Sequence, residues 1–440
     1  MSLPFVHDST TSGPAPARYA WSVFAILFLL MVIDYVDRQV VVSMFPHLKA
    51  HWGLSDGKLG GLVSIVSITV ALGTIPLSLL ADRWSRVKSI FLMVLVWSGA
   101  TIACAYAADY GHLLAARSVV GLGEAAYGSA GAALLATLFP ERMRSTILGA
   151  FLAAALVGSV LGVVLGGVIA QHWGWQAGFG AVGVPGLVLA VLFLLIVRDY
   201  RTVALPRERT REPRSALAAR AIVSALVKPR TVLVVCVAAG LQLVMVSATY
   251  AWLPSYLNRF YGLAPDQAGL KAGLVVLLSG VGAVVWSAIA DRARSRFARA
   301  RLYVPAIAAV LTATCMWIAF GALAPGKAQF AFIVAGAIMM TASIGPAAAV
   351  VVDVVHPAVR ATAAAVLSLT QNLFGLAAGP LLTGWLSDAY GLPVALSVVP
   401  LFCVLAAVVF LIAARTYLVD LKNVRAEDVA FEGDAEPRLA

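Results

Sequence analysis

The 440-residue sequence is poor in charged residues, histidines and cysteines. Only 12% of its residues are Asp, Glu, Lys or Arg, whereas 61% are hydrophobic, and the mean hydropathy is +0.92. Soluble domains carry about 25% charged residues, so this composition excludes a soluble fold and predicts a protein that crosses a membrane several times. The four cysteines are isolated within apolar runs and have the spacing of neither metal ligands nor a disulfide framework.

Patterns typical of enzymes are also missing from the sequence. No Ser-His-Asp, HExxH or Walker-type arrangement occurs, and no histidine falls in the middle of an apolar run. His47 and His51 have the spacing of two metal ligands on a helix face, but no third ligand lies nearby. We therefore expect no enzyme activity, no cofactor and no bound metal. A membrane-embedded enzyme and a channel are the remote alternatives.

Twelve apolar runs follow one another along the chain, each near or above the ~20 residues with which a helix crosses a bilayer. They cover residues 19–45, 59–81, 88–108, 112–139, 145–170, 176–198, 231–257, 268–290, 302–323, 328–353, 361–386 and 392–414. No signal peptide is expected, because the first eighteen residues lack an apolar core. The side with both tails carries 25 of the 32 Lys and Arg residues, and the opposite side carries 5. By the positive-inside rule, this predicts an inner (plasma) membrane protein with both termini cytoplasmic.

The longest connection divides the runs six and six. We predict a cytoplasmic tail at 1–18, a six-helix bundle at 19–198, a basic cytoplasmic loop at 199–230, a second bundle at 231–414 and a tail at 415–440. Residues 215–227 fit a short amphipathic helix on the inner leaflet, although a plain polar linker is the favoured interpretation. Because topology explains the basic loop, the net charge of +11 does not predict a nucleic-acid partner. The partners expected are the bilayer and a small-molecule or lipid substrate, and we expect a monomer.

The two halves of the chain repeat a motif. Residues 78–83 (SLLADR) close the second run, and residues 287–292 (SAIADR) close the eighth. An acid and arginines at a helix end can hold a neighbouring helix in one conformational state and release it in another. A charge cluster that only sets topology is the alternative. The predicted cytoplasmic latch consists of Asp82, Arg83, Arg86, Asp291 and Arg292. A duplicated six-helix unit places the substrate site between the halves, near the midplane.

Five charged residues interrupt the apolar runs, and all of them lie in the first half: Asp34, Asp37, Arg38, Arg117 and Glu124. A charge at that depth costs at least ~2.5–3.5 kcal/mol unless it is paired or hydrated, so these residues should face the bundle interior or a water-filled path. At ~1.5 Å per residue, Arg117 lies near the depth of Asp37, and Glu124 lies near that of Asp34. We therefore expect Arg117 to meet Asp37. Two acids in one low-dielectric site suit proton uptake near neutral pH, and a static ion-paired core is the alternative.

The second half offers uncharged polar residues in the corresponding runs. The candidate substrate-cavity residues are Gln242, Tyr250, Gln371 and Asn372, together with Tyr127 of the first half. We infer that the first half couples protons and the second mainly shapes substrate recognition. With its three acids and two arginines ionised, the cavity is formally −1. Protonation of Asp37 and Glu124 makes it +1, which favours an anionic head group.

The latch motif, its repeat, the twelve runs and the basic loop together resemble the major facilitator superfamily over residues 19–414. Residues 34–38 (DYVDR) and 117–127 (RSVVGLGEAAY) are similar to Spinster-like lipid transporters. The same Asp-Arg pair, and an Arg with a Glu seven residues later, also resemble sugar-acid:proton symporters of the anion:cation symporter family.

The resemblance implies proton sites at Asp37 and Glu124, and gating or anion contact at Arg38 and Arg117. The depth estimate adds Asp34 to the proton-coupling group. It further implies an all-α integral membrane fold, with twelve transmembrane helices in two pseudo-symmetric six-helix bundles that work by alternating access. We expect a proton-coupled transporter of an organic anion or amphiphile, of the Spinster-like lysolipid or sphingolipid type. The alternative is a proton symporter of a small organic or sugar acid, and sodium is not excluded as the coupling ion. Substrate identity, direction of transport, symport or antiport, and proton stoichiometry stay open.

Overall fold

The computed structural model describes residues 17–198, 228–356 and 359–435, and the regular elements in this part of the chain are helices. Eleven helices are long and apolar enough to cross a membrane. Their bounds are Ala17–Ser43, Asp56–Ala81, Arg86–Ala105, Tyr110–Leu138, Arg142–Ile196, Arg230–Tyr261, Pro265–Arg294, Ala300–Ala322, Lys327–Asp353, Thr362–Tyr390 and Leu392–Val424. The longest contains two spans, because Gly174 (φ 81°, ψ 170°) is non-helical and separates the fifth span from the sixth. The described chain therefore has the twelve spans that the sequence predicts, numbered first to twelfth below.

The predicted domain boundaries meet the described residues only in part. The tail at 1–18 is described from residue 17 and the loop at 199–230 from residue 228, so the segment 215–227 lies outside the described residues. The last helix, Pro400–Ala435, continues past the predicted boundary at 414. This extension packs on the bundle: Tyr417 is fully buried, and Asp420 accepts the backbone N–H of Thr231 at 2.9 Å. Because Asp420 satisfies a free donor at the start of the seventh span, this part of the tail belongs to the second bundle.

Three spans are interrupted near their middle. The fourth consists of helices Tyr110–Glu124 and Tyr127–Leu138, and the tenth of Lys327–Met340 and Ile344–Asp353. The eleventh contains a π-helix at Gln371–Leu376. Broken backbone within a bilayer is tolerated where side chains satisfy the freed groups. In the fourth span Thr74 donates to the carbonyl of Ala125 at 3.0 Å, and in the tenth Gln242 donates to that of Met340 at 3.0 Å.

The fifth span packs directly on the first through a row of glycines. A Cβ atom added to Gly158, Gly162 or Gly166 would lie less than 3.0 Å from a carbonyl oxygen of the first span. Those oxygens belong to Val32, Val36 and Val40. Small residues allow this close approach of two helix backbones. The contact covers the stretch of the first span that carries its three charged residues.

The halves are joined at the end of the bundle opposite both termini. There Asp56 accepts hydrogen bonds from Lys49 Nζ (2.7 Å), from both terminal nitrogens of Arg259 (2.7 and 2.8 Å) and from Ser387 Oγ (2.6 Å). Asp388 accepts the first two backbone N–H groups of the second span, at 2.7 and 2.8 Å. Arg259, Ser387 and Asp388 belong to the second half. We call these five residues the sealed end.

Two pairs of spans cross between the halves below the sealed end. The second and eleventh spans meet where Ser64 donates to the carbonyl of Ala377 at 2.6 Å. The fifth and eighth spans meet at Gly269, where an added Cβ would lie 2.8 Å from the carbonyl oxygen of Val163. The first crossing is a hydrogen bond from a side chain to the backbone and the second is a close approach of two backbones, so the two halves form one continuous bundle at this depth.

The predicted latch is described in part. The side chains of Asp82 and Arg83 lie outside those described, and Arg86 begins the third span. In the second half, Asp291 accepts a hydrogen bond from Arg301 Nε of the ninth span at 2.8 Å, and Arg301 Nη1 reaches Asp353 of the tenth at 2.7 Å. Arg292 is exposed at the end of the eighth span. Asp291 therefore makes the helix-to-helix contact that the latch requires, and its release in another state stays a prediction.

Candidate functional site

A cavity of about 120 Å³ lies between the two halves. The first, second, fourth, fifth, seventh and eleventh spans contribute to it. Its lining residues are Tyr35, Arg38, Gln39, Val42, Val63, Val66, Ser67, Arg117, Ser159, Val246, Ser247, Tyr250, Ala251, Leu376 and Pro380. Both arginines come from the first half, so the charged lining residues lie on one side of the cavity and uncharged residues lie on the other.

Arg38 lies between two acids at the edge of this cavity. Its Nε is 3.1 Å from Asp34 Oδ1, and its Nη2 is 3.0 Å from Glu124 Oε2. The Arg38 side chain is 17% exposed, whereas that of Glu124 is fully buried. Neither oxygen of Glu124 has a partner in hydrogen-bond geometry among the described residues. With all three side chains ionised, this cluster carries a formal charge of −1.

Arg117 and Asp37 form a second ion pair, deeper in the first half. Arg117 Nη1 is 3.2 Å from Asp37 Oδ1 and also donates to the Asp37 carbonyl at 3.3 Å. Thr101 of the third span donates to the other carboxylate oxygen at 2.9 Å. Asp37 and Arg117 are both fully buried. The contact predicted from their depths is therefore confirmed, and this pair is formally neutral.

Helix geometry explains why the first span holds two separate clusters. Residues 34 and 38 are four apart and share one helix face, so Arg38 reaches back to Asp34. Residue 37 is rotated from residue 38 by about 100°, which directs Asp37 towards the third and fourth spans. The fourth span approaches the third at Gly123, where an added Cβ would lie 2.7 Å from the backbone nitrogen of Trp97. This approach brings Arg117, Thr101 and Asp37 within hydrogen-bond reach.

The predicted substrate-cavity residues divide into two groups. Tyr250 lines the cavity, and its hydroxyl pairs with that of Ser279. Gln371 and Asn372 are half-buried in the π-helix of the eleventh span and are not among the lining residues of this cavity. Asn372 Nδ2 donates to the Ser368 carbonyl of its own helix at 2.9 Å.

Tyr127 and Gln242 do not line the described cavity, and that part of the prediction is corrected. The Tyr127 hydroxyl donates to the carbonyl of Leu27 at 2.6 Å, and Gln242 donates to that of Met340. Both side chains are almost fully buried between helices of their own half. Both side chains instead hold two helices together. The sequence did not indicate this, because a span that is apolar on all sides gives no sign of which face a single polar residue occupies.

Sequence reasoning missed several polar residues of the site. Thr101 bonds the buried Asp37, and Gln39 lines the cavity one residue after Arg38. Its position could have indicated Gln39, because it follows the charged motif directly and shares one helix face with residue 35 of that motif. No pattern indicates Thr101, since a threonine in an apolar run commonly bonds its own helix.

Comparison with known proteins agrees with this architecture. The sequence profile of the Major Facilitator Superfamily matches residues 27–378 and 261–433. The chain belongs to the major facilitator superfamily. It is thus a multi-pass membrane transporter rather than an enzyme.

Individual relatives and a solved structure show the range of this similarity. The sphingosine-1-phosphate transporter SPNS2 of Mus musculus is 26% identical over 429 residues, covering 90% of this chain and 77% of that protein. The hexuronate transporter of Bacillus subtilis is 24% identical over 375 residues, covering 84% of this chain and 88% of that protein. The crystal structure of a bacterial homolog of the human lysosomal transporter Spinster, inward-facing and unoccupied, has a TM-score of 0.83 at 22% identity. The structural match covers 92% of this chain and 99% of the homolog's chain.

Proposed function

We propose that the protein is a proton-coupled secondary transporter of an anionic amphiphile. The observation that carries the proposal is the cluster of Arg38 with Asp34 and Glu124 at the cavity edge, which holds one more acid than cation. A buried carboxylate that lacks a full set of donors is a natural proton acceptor, because its charged form is poorly stabilised. Glu124 meets this description, since its only partner in the described part of the chain is the ion-paired Arg38 at Oε2, and neither oxygen accepts a hydrogen bond in good geometry.

Protonation changes the availability of Arg38. With both acids ionised, their charge outweighs that of the guanidinium, and an anionic substrate is repelled. Protonation of Glu124 and Asp34 changes the formal charge of the cluster from −1 to +1, so Arg38 can bind an anionic head group. Asp37 has a donor on each carboxylate oxygen. We therefore place the protons on Glu124 and Asp34 rather than on Asp37, which the sequence resemblance implied, and give Asp37 and Arg117 the task of positioning the fourth span.

The substrate class is proposed from the lining of the cavity and from the relatives. Seven lining residues are apolar, among them Val42, Val63 and Val246, which suits the hydrocarbon part of an amphiphile. SPNS2 is named a sphingosine-1-phosphate transporter, and that substrate joins an anionic head to an apolar chain. A small organic or sugar acid is the second candidate, favoured by the similarity to the hexuronate transporter.

We further propose that the protein lies in the plasma (inner) membrane as a monomer with both termini cytoplasmic. The charge bias of the connections supports this orientation. The transporter would need no cofactor beyond its coupling ion, which is a proton, with sodium as the competing candidate because carboxylates bind either ion. In this orientation the sealed end faces outward and must open once in each cycle.

The test is transport in proteoliposomes with and without an inward proton gradient, in wild type and Glu124→Gln. The candidate amphiphilic substrates are lysophosphatidate and sphingosine-1-phosphate, and the candidate sugar acid is glucuronate. We expect wild type to accumulate a substrate when the gradient is imposed. The Glu124→Gln variant should lose gradient-driven accumulation and retain exchange between equal substrate pools, because exchange requires no net proton movement.

Asp109→Asn is the matched control, because Asp109 is an exposed acid that caps the start of the fourth span and contacts only His112 of the same turn. It should transport like wild type. Full gradient-driven accumulation by Glu124→Gln would overturn the assignment of the proton to that residue. Accumulation that follows a sodium gradient, and is indifferent to pH, would overturn proton coupling itself.

A further inference from the structure

The polar residues that line the cavity differ in whether the protein already satisfies them. Ser159 donates to the Ala155 carbonyl at 2.8 Å, and Ser247 donates to that of Gly375 at 2.9 Å. The hydroxyl of Tyr250 pairs with that of Ser279. These groups already have hydrogen-bond partners within the protein, so they have less capacity to recognise a ligand. Both hydroxyls that the second half presents to the cavity belong to this satisfied group.

Three uncharged lining residues of the first half are different. The hydroxyls of Tyr35 and Ser67 and the carboxamide of Gln39 make no hydrogen bond to any other described residue. The Gln39 Oε1 atom is also buried from solvent. A buried polar atom without a partner is costly, and in native proteins it calls for an explanation such as a water or a ligand.

These three groups line the same cavity as Arg38, the cation of the site. Tyr35 and Gln39 are four residues apart on the first span, so they share one face, and Arg38 lies between them in sequence. The Arg38 guanidinium sits 5.2 Å from the centre of the Tyr35 ring. Ser67 reaches the same cavity from the second span.

The fifth span limits the movement of the Gln39 side chain. A Cβ added to Gly162 would lie 2.8 Å from the Gln39 Cβ, so the backbone of the fifth span packs against the base of this side chain. A carboxamide held in place beside a cation is prepared to recognise a group that neighbours a negative charge.

We propose that Tyr35, Gln39 and Ser67 form a hydroxyl-recognising subsite beside Arg38. The transported anion then carries a hydroxyl, or another uncharged hydrogen-bonding group, next to its negative charge. The proposal rests on the proposed function, which supplies an anion at Arg38. It also places polar specificity in the first half, whereas the sequence led us to infer that the second half shapes recognition.

The test compares ligands that carry hydroxyls close to the anionic group with ligands that lack them. The lipid probes are lysophosphatidate, whose glycerol hydroxyl neighbours the phosphate ester, and a monoalkyl phosphate with the same number of chain carbons. The small-acid probes are glucuronate and hexanoate, which distinguish a sugar-acid source of the same chemistry from a lipid source. Affinity is measured on the purified full-length protein by ligand-dependent thermal stabilisation and by calorimetric titration.

Gln39→Met is the informative variant, because methionine keeps the length of the side chain and removes its hydrogen-bonding capacity. We expect it to weaken binding of the hydroxylated probe about three- to tenfold and to leave the matched probe within about twofold, since a neutral hydrogen bond contributes modestly. Tyr35→Phe and Ser67→Ala each remove one hydroxyl and should act in the same direction. They keep the proposal testable if Gln39→Met folds poorly, which its melting temperature without ligand reports.

Ser247→Ala and Tyr250→Phe are the matched controls, because their hydroxyls line the same cavity and are already bonded. Each should change the affinities of a probe pair by the same factor. Equal wild-type affinity for both members of each probe pair would overturn the subsite, and so would equal losses for both members in Gln39→Met. Binding of none of the four probes would instead overturn the proposed function, and the subsite would fall with it.

Discussion

The two halves of this transporter share a helix arrangement and differ in how they satisfy polar groups inside the membrane. In the first half, Arg38 and Arg117 pair with carboxylates of neighbouring spans. In the second half, Gln242 donates to a backbone carbonyl. The fourth and tenth spans are both interrupted, so duplication has preserved the backbone while the polar chemistry has diverged.

The difference separates structural from functional polarity. A side chain that binds a carbonyl at a helix break repairs the break and has no reason to change state. A cluster with more acids than cations, such as Arg38 with Asp34 and Glu124, can gain a proton and change its charge. The first half is therefore the candidate for the coupling machinery, and the second half contributes uncharged polar groups.

The largest effect is expected from breaking the buried ion pair of the first half. Arg117→Met leaves the Asp37 carboxylate buried beside Thr101 without a countercharge. Removal of one partner of a buried pair costs about 3–5 kcal/mol, because the other charge stays desolvated. Thermal unfolding of the purified protein should therefore show a large loss of stability. The double variant Asp37→Asn/Arg117→Met should recover much of it, and a stable Arg117→Met single variant would contradict the pairing.

A smaller loss of stability is expected at the sealed end, where the two halves contact each other. Asp56→Asn removes the negative charge to which Arg259 and Lys49 donate hydrogen bonds. Lys49 and Arg259 are partly exposed, so water replaces part of the lost attraction, and the asparagine oxygen still accepts one donor. We expect lower thermal stability, and easier labelling of a cysteine placed at position 387 by an impermeant thiol reagent. Asp109→Asn is the control, and unchanged labelling in Asp56→Asn would show that the sealed end does not depend on this acid.

The sequence allowed the contacts of the buried charged residues to be predicted more fully than those of the uncharged polar residues. Depth counting along two apolar runs paired Arg117 with Asp37, because each helix residue advances by a fixed rise. The same count placed Glu124 level with Asp34 and did not identify Arg38 as the cation between them, although the spacing of 34 and 38 indicates it. Rise alone locates a residue along the membrane normal and does not say which neighbour it faces.

The remaining parts of the site depend on rotation about the helix axis. Tyr127 and Gln242 lie in runs that are apolar on every side, so the usual amphipathic signal for orientation is absent. The same limit applies to Thr101, whose bond to Asp37 depends on the packing of the third span against the first. The helix breaks in the fourth and tenth spans were not predicted either. No proline lies at the break of the fourth span, whereas Pro346 in the tenth opposes the carbonyl of residue 342 and could have indicated that break.

A third prediction concerns packing, in which the halves should behave alike. Gly162→Ala in the first half and Gly379→Ala in the second each place a methyl group against a backbone carbonyl, that of Val36 or Val244. Overpacking of this kind costs about 1–3 kcal/mol. Gly99→Ala is the matched control, because nothing lies within 4 Å of its added Cβ. Similar losses of melting temperature in the first two variants are expected, and a loss in only one would show that the two halves pack differently.

The smallest effect is expected at Gln242, the neutral counterpart of the ion pairs. Gln242→Leu removes the donor to the Met340 carbonyl, but it also removes the buried Oε1 atom, which has no partner among the described residues. Hydrogen bonds between membrane helices contribute about 0.6 kcal/mol on average, so these two changes should nearly cancel. Melting temperature and gradient-driven transport should both stay close to wild type. Gln242→Glu is the sharper variant, because a carboxylate would face a carbonyl oxygen where the second half supplies no described cation partner. If Gln242→Leu lost as much stability as Arg117→Met, neutral and ionic polarity would be equally important to the bundle, and the distinction between the two halves would fail.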